Sequence, residues 1–289
     1  MMDILGKRNI WYALSITILV IGLIFLAING LNFGIDFQGG SLLEFKFDHE
    51  VSNQEVRNVL SDINIAEDSK VQQTETEGIN GTLIRSKELS TQEIVEVEEA
   101  LRDQFPSTEM LRTQMVGPTI GQELRTKALL ALLIASIAIV LYISVRFEFR
   151  FAIVSIITLM HDVLIVLGIF AILGREINTP FVAALLTIIG YSINDTIVIF
   201  DRIRENMKMM HKTGFEKLAN QAVVDTLPRS INTSLTTLIT ILAIYLFGGA
   251  SIKIFMLALF IGMFAGTYSS IFVASPLLVT WTNRVKNKK

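Results

Sequence analysis

The sequence predicts an α-helical membrane protein with six transmembrane helices and one ferredoxin-like α+β domain outside the bilayer, between helices 1 and 2. Three observations lead there. Of the 289 residues, 51% are hydrophobic, and the mean hydropathy is +0.53, too high for an ordinary soluble domain. Six apolar runs approach or exceed the roughly 20 residues that a bilayer core requires. Between the first two runs lies a long polar interval with the alternation of strands and the periodicity of helices. The expected division is residues 1–29 (N-terminus and first span), 30–126 (outside domain) and 127–289 (remaining spans).

The first span is Ile10 to Ile28. Its apolar run is too long for a signal peptide, and Asn29-Gly30-Leu31 offers no small-x-small cleavage site. The outside domain then reads Leu42–Phe47 strand, Asn53–Ile63 helix, Lys70–Glu75 strand, Gly81–Lys87 strand, Thr91–Phe105 helix and Met110–Val116 strand. Leu43, Phe45 and Phe47 alternate with Glu44 and Lys46, as a strand with one buried face requires. The order β-α-β-β-α-β predicts a split βαβ sandwich. From Gly30 to Arg125 there are 18 acidic residues against 8 Lys or Arg, about −10 in sum. Glu93, Glu96, Glu98, Glu99 and Asp103 crowd one helix, which reads as a solvated face. The later spans are Ala128–Val145, Phe151–Leu173, Phe181–Phe200, about Leu227–Phe247 and Ile254–Trp281. Gly262, Gly266 and Ser270 line a small face suited to close helix packing. The region Arg202–Lys217 is basic and amphipathic and is expected along the inner leaflet.

Lys and Arg in short loops set the orientation. Lys7, Arg8, Arg146, Arg150, Arg202, Arg204, Lys208, Lys212, Lys217, Arg229, Arg284, Lys286, Lys288 and Lys289 mark one side; the opposite loops hold only Arg175 and Lys253. Both termini are therefore expected in the cytoplasm. The absence of cysteine excludes disulfides and thiolate chemistry, and His49, His161 and His211 are too scattered for a zinc cluster. There is no phosphate-binding glycine loop. No cofactor, metal or catalytic nucleophile is expected.

Asp195 is the residue that needs explaining, because it sits beside Asn194 in a largely apolar span. Intramembrane acids mark ion or proton paths by default, the alternative being a permanently hydrogen-bonded structural group. Thr187, Tyr191, Asn194, Val198 and Asp201 form a helical stripe next to it, expected to point into a bundle or wet cavity. The following span opens with Arg229, Thr233, Thr236 and Thr240 on one stripe. Antiparallel neighbours would bring Arg229 to the depth of Asp195. The competing reading has Arg229 snorkelling to headgroups, with Pro228 at a helix start. His161 and Asp162 lie deeper, in the third span; Asp162 is a further candidate for a proton relay. Adjacent helical residues diverge by about 100°, so the two are expected to face different ways.

Together, "GIDFQGG" (34–40), "VGPTIGQEL" (116–124), "RFEFRFA" (146–152), "HDVLIVLGIF" (161–170), "IIGYSINDTIVIFDRIREN" (188–206) and "GTYSSIFVASPLL" (266–278) resemble the SecF side of the SecD/SecF family, within the resistance-nodulation-division superfamily. The resemblance runs along nearly the whole chain. It implies a six-helix half that pairs with SecD beside the SecYEG channel. With SecD it would use the proton motive force to promote preprotein translocation after SecA has pushed the preprotein. The implied setting is the bacterial cytoplasmic membrane and its lipid, with no nucleic-acid partner. The proton path would then include Asp195 and Arg229. Related exporters carry two adjacent acids where this chain has Asn194-Asp195, so a second acid would come from the partner. The alternatives are a translocase scaffold with no proton transport of its own, or a subunit of a proton-coupled small-molecule exporter.

Overall fold

The computed structural model describes residues 2–76, 79–209 and 214–286. The elements in chain order are α1 (Arg8–Asn29), β1 (Asn32–Phe33), α2 (Ile35–Gln38), β2 (Gly40–Lys46), α3 (Asn53–Asp62), β3 (Lys70–Thr76), β4 (Ile79–Ser86), α4 (Thr91–Gln104), β5 (Glu109–Val116), α5 (Pro118–Arg146), α6 (Phe149–Leu173), β6 (Glu176–Ile177), α7 (Thr179–Met209), α8 (Phe215–Phe247), α9 (Ala250–Ser269) and α10 (Ser275–Lys286). Two compact units result. One comprises residues 1–32, 131–248 and 252–289; the other comprises 33–130 with 249–251.

The smaller unit is an antiparallel four-stranded sheet in the order β3-β4-β2-β5. Numbered by sequence, that is second, third, first, fourth, the order of a ferredoxin-like sandwich. The alternation in β2 sends Leu43 and Phe45 into one core with Val56, Leu60, Ile84, Val97 and Leu101. α3 and α4 supply the other side of that core, and Phe47 meets Phe105 edge-on at 5.4 Å. Both helices start on a capping box, Ser52 with Glu55 and Ser90 with Glu93. The backbone N–H and then the hydroxyl of Ser52 hold the Glu55 carboxyl below its usual range; the Ser90 hydroxyl, then its N–H, do so for Glu93.

Gly39 and Gly40 join α2 to β2 with φ of +77° and +121°. Gly39 combines that φ with ψ of 171°, a region open in practice only to glycine. A Cβ there would also stand 2.9 Å from the Pro118 Cα, and one on Gly121 would stand 2.9 Å from the Gly39 nitrogen. The turn is thus pressed against the first turn of α5. Gly39→Ala is expected to cost roughly 1–3 kcal/mol from strain alone, read as a lower melting temperature of the purified chain. An unchanged melting temperature would count against this packing.

Among the described residues, six helical segments are long and apolar enough to cross a membrane. They divide into two classes. Half of the apolar window is buried in α6, in α7 and in the last span, against 11, 6 and 17% in α1, α5 and α8. The first three form the bundle interior. α1 crosses α6 with glycine against glycine: a Cβ on Gly168 would stand 2.8 Å from the Gly22 Cα. The segment before α1 is built into the core through Ile4 and Leu5. Asn220 holds it, accepting from both of their backbone N–H groups at 2.9 and 3.1 Å and donating to the Met2 carbonyl at 2.8 Å.

The last span is not one regular helix. Ser270–Ala274 forms a π turn between α9 and α10. Such a turn carries one extra residue and lets consecutive side chains face inward.

The basic region expected to lie in the membrane plane has another form. Residues 202–209 complete α7 and residues 215–217 begin α8, while 210–213, with His211 and Lys212, fall outside the described residues. Within this region, Ile203 and Asn206 are buried and Phe215 packs against the core, so one face of the region is used in packing. Pro228 accordingly lies inside α8, not at a helix start.

Candidate functional site

The polar centre of the bundle is assembled from α6, α7, α8 and α9 with the π turn. α7 turns its larger apolar residues inward: Ile188, Ile189, Ile193, Ile199, Phe200 and Ile203 are buried. Asp195 lies on this inward side and is 5% exposed. Its neighbour Asn194 is exposed, as about 100° of rotation per residue requires. The expected stripe runs along the other side. Thr187 and Asn194 are exposed and Tyr191, Val198 and Asp201 half-buried, so within this chain the stripe faces away from the core. The apolar residues took the interior, and Asp195 went with them beside the small hydroxyls of Ser192 and Thr196.

Asp195 Oδ2 accepts from Ser234 Oγ on α8 at 3.4 Å, and Ser234 Oγ accepts from Thr267 Oγ1 on α9 at 2.7 Å. Ser234 is 2% exposed. Arg229 lies one and a half turns earlier on α8 and is exposed. Among the described residues no ion pair joins it to Asp195. Thr233, Thr236 and Thr240, on the Arg229 stripe, are exposed too and donate to their own helix: to the carbonyls of Arg229 at 2.8 Å, Asn232 at 3.0 Å and Thr236 at 3.0 Å. The packed face of α8 is instead Thr226, Ser230, Ser234 and Ile241.

Asp162 is also buried but is held far more tightly than Asp195. It is fully buried, and both oxygens are engaged. Oδ1 meets His161 Nδ1 at 2.9 Å; Oδ2 accepts from Ser192 at 2.6 Å and from Ser269 at 2.8 Å. Three helical segments are thereby tied to one carboxylate. His161 and Asp162 do not diverge as their spacing suggests. The imidazole folds over toward its neighbour's carboxylate, with the Tyr268 ring stacked 6.4 Å away.

Four consecutive residues of the last span reach four other helices. Thr267 meets Ser234 on α8, and the Tyr268 hydroxyl meets Ser15 on α1 at 3.1 Å. Ser269 binds Asp162 on α6, and Ser270 meets Thr196 on α7 at 2.8 Å. The small face expected at Gly262 and Gly266 makes this approach possible. A side chain at Gly262 would run into Ile188, and a Cβ on Gly266 would stand 2.9 Å from the Ser192 Cβ. Sequence reading singled out the acids and missed the hydroxyls that bind them. The available signal was the density of Ser and Thr in apolar spans facing those acids. No group of three or more potential metal ligands occurs among the described residues.

Two family models match. "Protein export membrane protein SecD/SecF, C-terminal" covers residues 96–284, and "SecD/SecF GG Motif" covers 24–51, which includes Gly39-Gly40. Among curated proteins, the protein translocase subunit SecF of Thermobaculum terrenum is 43% identical over 98% of this chain and 95% of its own length. The SecDF subunit of Thermus thermophilus is 40% identical over 94% of this chain, which spans 37% of that protein. The crystal structure of SecDF, a translocon-associated membrane protein from the same genus, matches with a TM-score of 0.91 and 37% identity. That match covers 98% of this chain and 39% of the other. A SecDF crystal structure in a super-membrane-facing form gives a TM-score of 0.73 at 36% identity, over 99% and 39% of the two chains. This multi-pass membrane protein belongs to the SecD/SecF family of protein-export membrane proteins.

Proposed function

We propose that the chain is the SecF-type half of a proton-driven motor that, with a SecD partner, promotes preprotein translocation through SecYEG after SecA has acted. The carrying observation is the inequality of the two buried acids. Asp162 is held from three directions, which suits a permanent tie between spans. Among the described residues Asp195 has one long hydrogen bond, and Arg229 lies one and a half turns from its donor on the neighbouring helix α8. A carboxylate so weakly supported changes the balance of packing when it gains or loses a proton. In this reading Asp195 carries the proton and Arg229 is its counter-charge. Asn194 stands on the outward stripe, where a partner's acid would complete the pair. The SecD and SecF halves share one chain in the Thermus SecDF, which supports SecD as that partner. The distribution of Lys and Arg supports both termini inside and the sheet unit outside, and the bacterial relatives support a location in the bacterial cytoplasmic membrane.

The test is translocation of a preprotein into inner-membrane vesicles holding this chain with its SecD partner. Dissipating the proton gradient with an uncoupler is expected to remove the increment that depends on this chain. An increment that survives the uncoupler overturns the motor reading in favour of a scaffold, the role to which the three-way tie at Asp162 would then belong.

A further inference from the structure

We infer that Thr267 is a positioning residue for Asp195, acting through the Ser234 hydroxyl as a two-step relay whose hydrogen bonds can reverse direction. The inference rests on the reading of Asp195 as the proton carrier. Thr267 Oγ1 is 2.7 Å from Ser234 Oγ and 2.8 Å from the Met263 carbonyl, and Ser234 Oγ is 3.4 Å from Asp195 Oδ2. Each hydroxyl has one proton to give and lone pairs to receive.

With Asp195 ionised, Thr267 donates to Ser234 and Ser234 donates to the carboxylate. With Asp195 protonated, the carboxyl donates to Ser234, Ser234 donates to Thr267, and Thr267 turns its proton to the Met263 carbonyl. Both patterns use the same atoms, break no covalent bond and leave no hydroxyl proton without an acceptor. A buried acid that must exist in two charge states needs surroundings that satisfy both, because an orphaned buried donor costs the full desolvation penalty. The threonines on the outer stripe of α8 cannot do this. Thr233, Thr236 and Thr240 lie on the outward stripe and are committed to carbonyls of their own helix. The Met263 carbonyl makes the second pattern possible, since it supplies a terminal acceptor that never needs a proton of its own.

Hydroxyl and shape can be separated at position 267. Thr267→Val keeps the shape and removes the relay; Thr267→Ser keeps the hydroxyl and removes a methyl group. In vesicles holding the chain with its SecD partner, Thr267→Val is expected to slow proton-coupled translocation about tenfold, while Thr267→Ser stays within about twofold of the unaltered chain. Ser234→Ala is expected to match Thr267→Val, and the double variant to fall no further than Ser234→Ala alone, since the groups act in series. A fully active Thr267→Val overturns the relay. So does a Thr267→Ser as slow as Thr267→Val, or a double variant whose losses multiply. Asp195→Asn is assayed alongside. If it remains fully coupled, the proton-carrier reading has failed; if it is inactive while Thr267→Val is normal, only the relay has failed.

Discussion

Replacing Asp195 by Asn is expected to abolish proton-driven export by the assembled complex, a loss of about 100-fold or more, while the chain still enters the membrane and folds. The carboxamide matches the carboxyl in size and can still bond to Ser234, so the packing of α7 on α8 has no reason to change. What disappears is the ability to bind and release a proton. Stability should hold or rise, because the native carboxylate is 5% exposed with a single 3.4 Å donor among the described residues, and an amide is less costly to bury. The pair of readouts is a vesicle translocation rate and a melting temperature in detergent. Export that runs at the unaltered rate would move the proton elsewhere and sink the mechanism.

Asp162→Leu should behave in the opposite manner, with a loss of structure first. Removing the carboxylate leaves His161 Nδ1 and the hydroxyls of Ser192 and Ser269 facing an apolar side chain. Ser269 has a second acceptor in the Gly266 carbonyl at 3.1 Å, which softens one of the three losses. The two remaining donors cost about 1–3 kcal/mol each, so a destabilisation of about 2–6 kcal/mol is expected. Asp162→Asn should be much milder, since its carbonyl oxygen still accepts and either serine hydroxyl can turn to accept from its amide. Thermal unfolding of the two variants decides the matter. Equal stability of Asp162→Leu and the unaltered chain would show that the three-helix tie carries no load.

The fold was legible where a pattern repeats along one element. Alternation in Leu42–Phe47 and periodicity in 53–63 and 91–105 located the sandwich, and apolar runs located the spans. Helix ends were less legible, because an apolar run measures the part in lipid and not the helix. α5 begins at Pro118, ten residues before its apolar run at Ala128, since Gln122, Glu123, Arg125 and Lys127 favour helix without being apolar. The direction each polar face takes was least legible. The stripe through Asn194 reads as inward because it is polar, while the one through Arg229 leaves pairing with Asp195 and snorkelling to headgroups both open. Both stripes lie outward because Ile188, Phe200, Leu218 and Val223 compete for the interior and gain more by burial there. The approach of His161 to Asp162, and of four hydroxyl-bearing residues to four helices, depends on tertiary placement that no single element encodes.

The extra residue in the Ser270–Ala274 turn has a consequence for reading the last span. It puts the stretches before and after it out of phase by about 100°. A helical wheel drawn through the whole span carries the row of Gly262, Gly266 and Ser270 on to Ala274 and Leu278. The chain instead steps five positions, where the Ser275 hydroxyl bonds the Ser270 carbonyl at 3.2 Å, and resumes the row at Ser275 and Val279. Any alignment of this span against an uninterrupted helix therefore compares the wrong neighbours over its second half.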